Sequence, residues 1–486
     1  MDVYSLSVLV FIILLCLIVY RDRKNFRREF ILLLRRTQKG REVLKKIAES
    51  HPGILKWMGN ISVLIGFFAS IWIFYQLLSI TFENLLVPQP FPAAGLLLPS
   101  PSPEAQIGPG YFAVPFWYWI ISIALLALVH EGFHGVMALR EKVRIKSLGW
   151  GLLAVIPLAF VEPDENQLKR KPKIAQLRVF SAGSFANFCL AGVSFLMLSC
   201  LAYTCFQPIG VSFSGYPGIK LNQSDILTPV NLSGLDPQEI IALNTTHGIL
   251  ITRAGMLNLS KKQIELYEDY PAFRVNLTGV IIRIENFTIR EPEDLKKALF
   301  EIGPGKEIEI ETLNRTYRLV TAAEPEPEFR PNLNLFLLAV FEHLLPGISD
   351  YFLPEETWSQ IKLKQKFWEW ASGSPLLEGR ATGKLEELQR KAENAKRSGF
   401  LGISGVVARV EVLPGLEPYK PILDFFQGLL FWLFLINLGV GAFNLLPIRG
   451  LDGGKMWELV LKRKRLINGL SLLTLFLIVV NFFLVL

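Results

Sequence analysis

Six apolar segments, each long enough to cross a lipid bilayer, constrain this chain more than any other feature of its sequence. A membrane-spanning helix needs about 20 mostly apolar residues in a row, and 51% of these 486 residues are hydrophobic. The segments cover residues 3–20, 55–80, 112–139, 179–206, 422–446 and 466–486. The sequence therefore predicts an α-helical, polytopic membrane protein with about six spans and excludes a soluble fold.

The charges between the apolar segments predict how the chain is oriented. Its formal net charge is +8, and the lysines and arginines concentrate in residues 21–46, 140–178 and 449–465, beside the spans. Because basic loops stay in the cytoplasm, these three loops are expected inside and residues 81–111 and 207–421 outside. The basic character is thus a topology signal, and no nucleic-acid partner is predicted.

Asparagine sequons test this topology independently. All seven asparagines between residues 207 and 330 begin an Asn-x-Ser/Thr sequon, whereas Asn60 alone does so elsewhere in the chain. The predicted glycosylation sites are Asn222, Asn231, Asn244, Asn258, Asn276, Asn286 and Asn314. Glycosylation occurs only on the outer side, so a glycoprotein whose 207–421 region is extracytoplasmic is expected. Many sequons without a disulfide framework would suit an archaeal plasma membrane, and a eukaryotic organelle is the alternative.

The third apolar segment contains a His-Glu-x-x-His motif, formed by His130, Glu131 and His134. On a helix, positions i and i+4 share one face, so both imidazoles can reach one metal ion while the glutamate acts as a base. Ionisable residues at membrane depth are costly and usually functional. The motif predicts a zinc site near the cytoplasmic side of the membrane.

A catalytic zinc site needs a third protein ligand and one open position. The cysteines lie in or at the end of apolar segments and suggest no zinc site of their own, and His51, His247 and His343 lie outside the spans. Asp452 follows the fifth span and precedes a basic block. The histidine motif likewise precedes a basic block, which begins at Arg140. The sequence therefore predicts that Asp452 is the third ligand.

Three separated motifs resemble those of the site-2 protease family of intramembrane metalloproteases. They are His130-Glu-Gly-Phe-His134, Gly183-Ser-Phe-Ala-Asn187, and Asn444-Leu-Leu-Pro leading to Leu451-Asp-Gly453. The resemblance implies Zn²⁺ held by His130, His134 and Asp452, with Glu131 as catalytic base. It also implies that Asn187 and Asn444 bind substrate. Expected partners are the lipid bilayer and single-span membrane proteins already trimmed by another protease.

Residues 279–320 resemble the second half of a PDZ domain, which binds extended peptides at a sheet edge. Their pattern predicts strand, helix and two further strands, and Gly399-Phe-Leu-Gly-Ile403 resembles the carboxylate-binding loop of that fold. The loop, however, lies some eighty residues beyond those strands. The expected organisation is a two-span region (1–111), two parts of a catalytic membrane core (112–206 and 422–486), and an α+β, PDZ-like extracytoplasmic domain with an insertion (207–421).

Several local alternatives remain open in the sequence. Residues 144–161 suggest a hairpin with a free strand edge for substrate, or an interfacial loop. The aromatic residues of 351–370 suit the outer membrane surface or a packed core equally. Arg449, close to Asp452, is expected to pair with that carboxylate or with substrate.

Two other functions are compatible with ionisable residues inside a membrane. One is a transporter or ion relay that uses His130, Glu131 and His134, although no inverted repeat is visible. The other is an inactive scaffold whose outer domain binds peptides. The intact Glu131 favours the protease.

Overall fold

The structure is a computed structural model, and the chain forms two compact units. The first comprises Met1–Thr204, Asn332–Asn334 and Pro418–Leu486, and the second comprises Cys205–Pro331 and Leu335–Glu417. The structure describes residues 2–29, 32–37, 39–86, 95–108, 111–227, 234–258, 263–327, 329, 331–344, 348–353, 357–374, 377–461 and 463–483.

Among the described residues, six helices are long and apolar enough to cross a membrane, which confirms the predicted number of spans. They cover Val3–Arg21, Pro52–Phe82, Phe116–Arg140, Lys173–Cys205, Glu417–Asn444 and Lys464–Asn481. The third begins at Phe116 rather than at 112, because Tyr111–Pro115 is a strand paired with Leu96–Ser100. The fourth begins at Lys173 rather than at 179, because its first turns are polar but still helical.

The first unit contains nine helices and seven strands among the described residues, labelled along the whole chain. The helices are α1 (Val3–Arg21), α2 (Lys39–Ser50), α3 (Pro52–Leu86), α4 (Phe116–Arg140), α5 (Glu165–Lys169), α6 (Lys173–Cys205), α13 (Lys420–Asn444), α14 (Asp452–Val460) and α15 (Lys464–Phe483). The strands are β1 (Arg27–Glu29), β2 (Leu32–Thr37), β3 (Leu96–Ser100), β4 (Gln106–Gly108), β5 (Tyr111–Pro115), β6 (Ile145–Leu153) and β7 (Ile156–Pro163).

Residues 144–161 do form a hairpin, as one of the two sequence alternatives predicted. Strands β6 and β7 pair in antiparallel register from Leu153↔Ile156 to Ile145↔Pro163. Strand β2 covers the other edge of β6, in a four-stranded sheet of order β1-β2-β6-β7. Within the described part of the chain, β7 is therefore an outermost strand with one unpaired edge.

Polar contacts fix the helices around α4. In α6, Arg178 donates from Nε and Nη2 to Asn60 Oδ1 of α3 (2.9 and 2.7 Å). Its Nη1 lies 3.1 Å from Oε1 of Glu141, the residue that caps α4. Side-chain hydrogen bonds between helices are a common means of association in membranes, where apolar contact alone gives little specificity. These bonds hold α3, α4 and α6 in a fixed relation beside the histidine motif.

The second unit is built from sheets and short helices. Its helices are α7 (Pro271–Arg274), α8 (Pro292–Ile302), α9 (Leu333–Leu344), α10 (Ile348–Phe352), α11 (Trp358–Ser372) and α12 (Glu378–Asn394). Its strands are β8 (Phe206–Ser212), β9 (Gly218–Asn222), β10 (Ile240–Thr245), β11 (Gly248–Arg253), β12 (Gln263–Tyr267), β13 (Ile281–Ile284), β14 (Phe287–Thr288), β15 (Glu307–Thr312), β16 (Thr316–Val320), β17 (Ala322–Ala323), β18 (Gly399–Phe400) and β19 (Val407–Val412). One sheet has the order β10-β11-β12-β9, and another runs β16-β15-β13-β8-β19 with β14 beside β13.

The insertion between residues 324 and 398 begins after one strand and ends before the strand that pairs with it. Strand β18 pairs with β17 (Ala323↔Gly399), so the Gly399–Ile403 loop lies beside the strands from which it is distant in sequence. Leu401 is buried in one core with Leu295 and Leu299 of α8. The Gly399–Ile403 loop is therefore distant in sequence only because residues 324–398 are inserted between two paired strands.

The insertion has a core of its own, which decides between the two roles considered for its aromatic residues. Trp358, Phe367 and Trp368 are at most 6% exposed and pack within the second unit. Leu388 and Ala392 of α12 share this core with Phe367 and Trp368, so one face of the charge-rich helix is buried. These aromatics form a packed core, and the predicted alternative of an array on the membrane surface is wrong for them.

Candidate metal centre

Helix α4 presents the two histidines of the His-Glu-x-x-His motif on one face, as their spacing predicts. The Nε2 atoms of His130 and His134 lie 3.2 Å apart. Both side chains are nearly enclosed, with about a tenth of each exposed (11% and 12%). Two imidazole nitrogens so close together in a buried place form a natural pair of metal ligands.

Asp452 reaches the histidines from the first residue of α14. Its Oδ2 lies 3.1 Å from His134 Nε2 and 3.3 Å from His130 Nε2. Among the described residues, these three ligand atoms form a cluster within 4.8 Å of one another that could hold a metal ion. The structure thus brings together the three residues that the sequence suggested as ligands, although His134 and Asp452 are 318 positions apart in the chain.

The turn between α13 and α14 explains the glycines that follow Asp452. A Cβ atom on Gly453 would lie 2.0 Å from the Leu445 carbonyl oxygen, and one on Gly454 would lie 1.9 Å from that of Ile448. No side chain fits at either position, because the chain folds back tightly against its own carbonyl groups. The two glycines permit the turn that places Asp452 at the site.

His134 is oriented for metal binding by a backbone carbonyl. Its Nδ1 lies 2.7 Å from the carbonyl oxygen of Val179 on α6, so Nδ1–H donates there. With the proton on Nδ1, the lone pair of Nε2 points towards Asp452 and His130. Such an outer hydrogen bond is the usual device that fixes the tautomer of a metal-binding histidine.

His130 is oriented by Asn187, which is fully buried on α6. The amide Nδ2 lies 3.0 Å from His130 Nδ1, and Oδ1 of the same amide is buried without a partner. The two ends of a carboxamide are interchangeable by a flip. With Oδ1 turned to the imidazole, it accepts from Nδ1–H, the orphaned oxygen is satisfied, and Nε2 is free to bind a metal.

Gly183 allows α6 to pass directly against both imidazoles. A Cβ atom at this position would lie 2.3 Å from His134 Nε2 and 2.7 Å from His130 Nε2. Any side chain would therefore occupy the space where the two ligand nitrogens converge. This close approach, with the orphaned Asn187 oxygen and the two-imidazole, one-carboxylate donor set, fits a small metal ion.

Glu131 lies beside the hairpin. Its Oε2 accepts a hydrogen bond from the Val161 backbone N–H of β7 at 3.1 Å. In an antiparallel pair, a residue directs both backbone groups either to its partner strand or away from it. Since the Val161 N–H points to Glu131, the unpaired edge of β7 faces this glutamate.

A cavity of about 660 Å³ contains the whole cluster. It is lined by His130, Glu131, His134, Val161, Pro163, Glu165, Leu168, Lys169, Gln176, Val179, Phe180, Asp452, Lys455, Glu458 and Leu459. Its walls combine apolar residues with charges of both signs. Such a cavity can admit water and a short length of peptide beside the three ligand atoms.

The charge state of Asp452 suits a metal ligand. This residue lies on α14, which is not one of the six spans. Burial would raise the pKa of its carboxyl, but His134, His130 and Lys455 outweigh burial and hold the pKa well below its ordinary value. The carboxylate is therefore ionised, as metal coordination requires.

Other predicted residues have different places. Arg449 does not pair with Asp452: it contacts Glu458 (2.8 Å) and Asn468 (2.9 Å), so that alternative is wrong, and pairing with substrate stays a prediction. The cation that does contact Asp452 is Lys455, which sequence reasoning missed although it lies one helical turn further on. Asn444 ends α13 half-buried and is not among the residues described as lining the cavity.

The predicted sequons are exposed wherever the structure describes them. The exposed asparagines are Asn222, Asn244, Asn258, Asn276, Asn286 and Asn314. Asn231 lies outside the described residues. Exposure is a condition for glycosylation, and occupancy of these sites stays a prediction.

A comparison of the sequence with protein-family models finds a match to the model described as Peptidase family M50. The match runs from residue 118 to residue 486 and covers well over half of the chain. It contains α6, α13, α14 and all of α4 except its first two residues, and hence every residue of the cluster described above.

Proposed function

Because the chain belongs to peptidase family M50, the site-2 protease family of metalloproteases, we propose that it is a zinc protease that cleaves transmembrane segments of other proteins. The chain is thus a hydrolase acting on peptide bonds. Its six helices of spanning length suggest an integral, multi-pass membrane protein. Family membership favours the protease over the transporter and the inactive scaffold. The observation that carries the proposal is the convergence of His130, His134 and Asp452 inside one cavity.

In the proposed site, His130 and His134 would hold one zinc ion through Nε2 and Asp452 would hold it through Oδ2. A bound zinc ion would lower the pKa of water towards neutrality and polarise the carbonyl of the scissile bond. Three protein ligands leave a position for water and substrate, as catalytic zinc sites require. Asn187 and the Val179 carbonyl hold the two imidazoles in the orientation that this geometry needs.

We assign the general base to Glu131. The Val161 N–H holds its Oε2, so Oε1 is the oxygen assigned to proton transfer. Glu131 would take the proton of the attacking water at Oε1 and deliver it to the nitrogen of the leaving amine. A positioned base of this kind contributes about 10²- to 10⁴-fold to the rate.

The free edge of β7 gives the substrate backbone a partner. A transmembrane helix hides its peptide groups in its own hydrogen bonds, and unwinding it in the membrane exposes groups that need replacements. A strand that pairs with the outer edge of β7 would lie directly beside Glu131, because the Val161 N–H on that edge already contacts it. The predicted substrate role of Asn444 stays a proposal, and the burial of Asn187 behind His130 favours ligand orientation instead.

We further propose that the second unit is a PDZ-like, extracytoplasmic domain that selects substrates. The supporting feature is a largely apolar groove of about 850 Å³ between α8 and the Gly399–Ile403 loop, lined by Leu295, Leu299, Phe400 and Ile403 among others. Extended peptides bind such grooves by adding a strand to a sheet edge. The exposed sequons and the basic loops support an outer position for this unit and a metal site near the cytoplasmic side. Single-span proteins already trimmed by another protease are the proposed substrates.

The test is cleavage of a panel of single-span substrates by the detergent-solubilised protein. Wild type is expected to cleave at least one of them, and a zinc chelator should stop the reaction. Glu131→Gln keeps the shape of the side chain but cannot act as a base, so cleavage should fall by about 10²- to 10⁴-fold while bound zinc is unchanged. Full activity of Glu131→Gln, or activity unaffected by the chelator, would refute the proposal.

A further inference from the structure

The two oxygens of Asp452 have different partners. Oδ2 faces the two imidazole nitrogens at 3.1 and 3.3 Å. Oδ1 faces Lys455, whose Nζ lies 3.3 Å away. One oxygen of the carboxylate thus contacts the two histidines, and the other contacts a cation on the same helix.

The position of Lys455 favours this arrangement, in which Oδ1 is paired with the lysine and Oδ2 faces the histidines. It follows Asp452 by three residues on α14, so the two side chains lie on one face of the helix. The carboxylate is 7% exposed and the lysine side chain 43% exposed, so the ammonium group reaches Oδ1 from the open part of the cavity. Its Nζ also lies 5.8 Å from the centre of the Phe180 ring, an aromatic face that attracts a cation.

This arrangement matters because a carboxylate can bind a metal ion through one oxygen or through both. If Asp452 used both oxygens, it would fill the coordination position that a catalytic zinc site keeps open. An ammonium group on Oδ1 disfavours that second contact, since Oδ1 would have to give up its ion pair in a largely buried place.

We propose that Lys455 is a positioning residue that holds Asp452 to single-oxygen coordination and so keeps the metal site open for water and substrate. The inference rests on the proposed function, because it concerns the same metal site. Lys455 acts through Asp452 and needs no contact with the reacting atoms.

The cavity offers a matched control for the charge of Lys455. Lys169 lines the same cavity, but it pairs with Glu165 at 3.0 Å. Lys169→Gln and Lys455→Gln therefore remove the same charge from the same cavity, and only the second removes the partner of Asp452. Lys455→Arg keeps a cation in place of Lys455.

The experiment compares these variants, loaded with Zn²⁺ and with Co²⁺, in the full-length protein. Visible absorption of Co²⁺ reports coordination geometry, since intensity falls as the number of ligands rises beyond four. Lys455→Gln should weaken this absorption and lower kcat by about 10- to 100-fold, the range typical of residues that support metal ligands. Its KM and zinc affinity should stay close to those of wild type. Lys455→Arg should resemble wild type in all four measurements, and Lys169→Gln should leave the Co²⁺ absorption and the zinc affinity unchanged.

Three results would overturn the inference: an unchanged Co²⁺ spectrum in Lys455→Gln, an equal change of the Co²⁺ spectrum in Lys169→Gln, or loss of bound metal from Lys455→Gln. Thermal unfolding of each variant, together with Lys455→Met as a second neutral substitution, separates misfolding from a change at the site. Failure of the proposed function would differ from all three, because wild type itself would then bind no stoichiometric zinc or show no cleavage.

Discussion

At the scale of single residues, the site depends on a glycine that has no side chain as well as on the polar side chains around it. Gly183 has no side chain, and this lets α6 lie against both imidazole rings. Asn187, one turn further along the same helix, then reaches His130 Nδ1. One short stretch of α6 therefore leaves the space in which a metal ion is proposed to bind and orients one of its proposed ligands.

Gly183→Ala should abolish zinc binding. The added Cβ would lie 2.3 Å from His134 Nε2, well inside van der Waals contact, and its nearest atoms belong to the proposed ligands. Alanine normally favours a helix over glycine by about 1 kcal/mol, so a loss would come from the site and not from the helix. Zinc content by mass spectrometry and cleavage activity are the measurements.

Gly192→Ala is the matched control. Gly192 lies on the same helix, and a Cβ there would meet nothing within 4 Å. This variant should bind zinc and cleave substrate like wild type. If Gly183→Ala kept full zinc occupancy, the packing described for α6 would be wrong.

At the scale of elements, the hairpin lies beside both Glu131, the proposed catalytic base, and the position proposed for the substrate strand. Strand β2 covers the outer edge of β6, and the remaining edge, on β7, faces Glu131 through the Val161 N–H. From its glycines and its short apolar run, the sequence suggested either a hairpin or an interfacial loop, and the structure has the hairpin. The sequence could not reveal which edge would be free, because β2 comes from the N-terminal region, before the part that matches the family.

Val161→Pro should sharply reduce cleavage while leaving zinc bound. Proline has no N–H, so the hydrogen bond to Glu131 disappears, whereas the bonds between β7 and β6 do not use this group. The expected loss is about 10-fold or more, as for other residues that support catalytic groups.

Val161→Leu retains the N–H and should remain active. Measuring kcat/KM and zinc content for both variants distinguishes loss of the hydrogen bond from a change in side-chain size. Equal activity of Val161→Pro and Val161→Leu would contradict the role given to this backbone group.

At the scale of the whole molecule, the proposed ligands come from two stretches of chain separated in sequence by the second unit. His130, His134 and Asp452 were predicted from the sequence because their spacing and their positions beside basic loops are local signals. Two of the contacts around the site are not local: the Val179 carbonyl that holds His134 and the Val161 N–H that holds Glu131 carry no side-chain signature. Lys455 is close to Asp452 in sequence, but it is one of several basic residues in 449–465 and nothing in the sequence distinguishes it from the others. In the sequence, the Gly399–Ile403 loop is far from the strands that it would join, because the insertion separates strands that are neighbours in the fold.

The proposed topology predicts where carbohydrate attaches. Expressed in a host that glycosylates membrane proteins, the chain should carry N-linked glycans on exposed sequons of the second unit, such as Asn276 and Asn314, and none on Asn60. Enzymatic removal of the glycans should lower the apparent mass, and Asn60→Gln should not change that shift. Glycan on Asn60, or a fully unglycosylated second unit, would contradict the assigned orientation.

The most direct test of the metal centre is the zinc content of the purified protein and three alanine variants. Wild type is expected to hold one zinc ion per chain, and His134→Ala and Asp452→Ala should hold little or none because each lacks a proposed ligand. His247→Ala, which removes an exposed histidine outside the cluster, should retain the metal. Zinc retained at full occupancy in Asp452→Ala, or absent from folded wild type, would contradict the account.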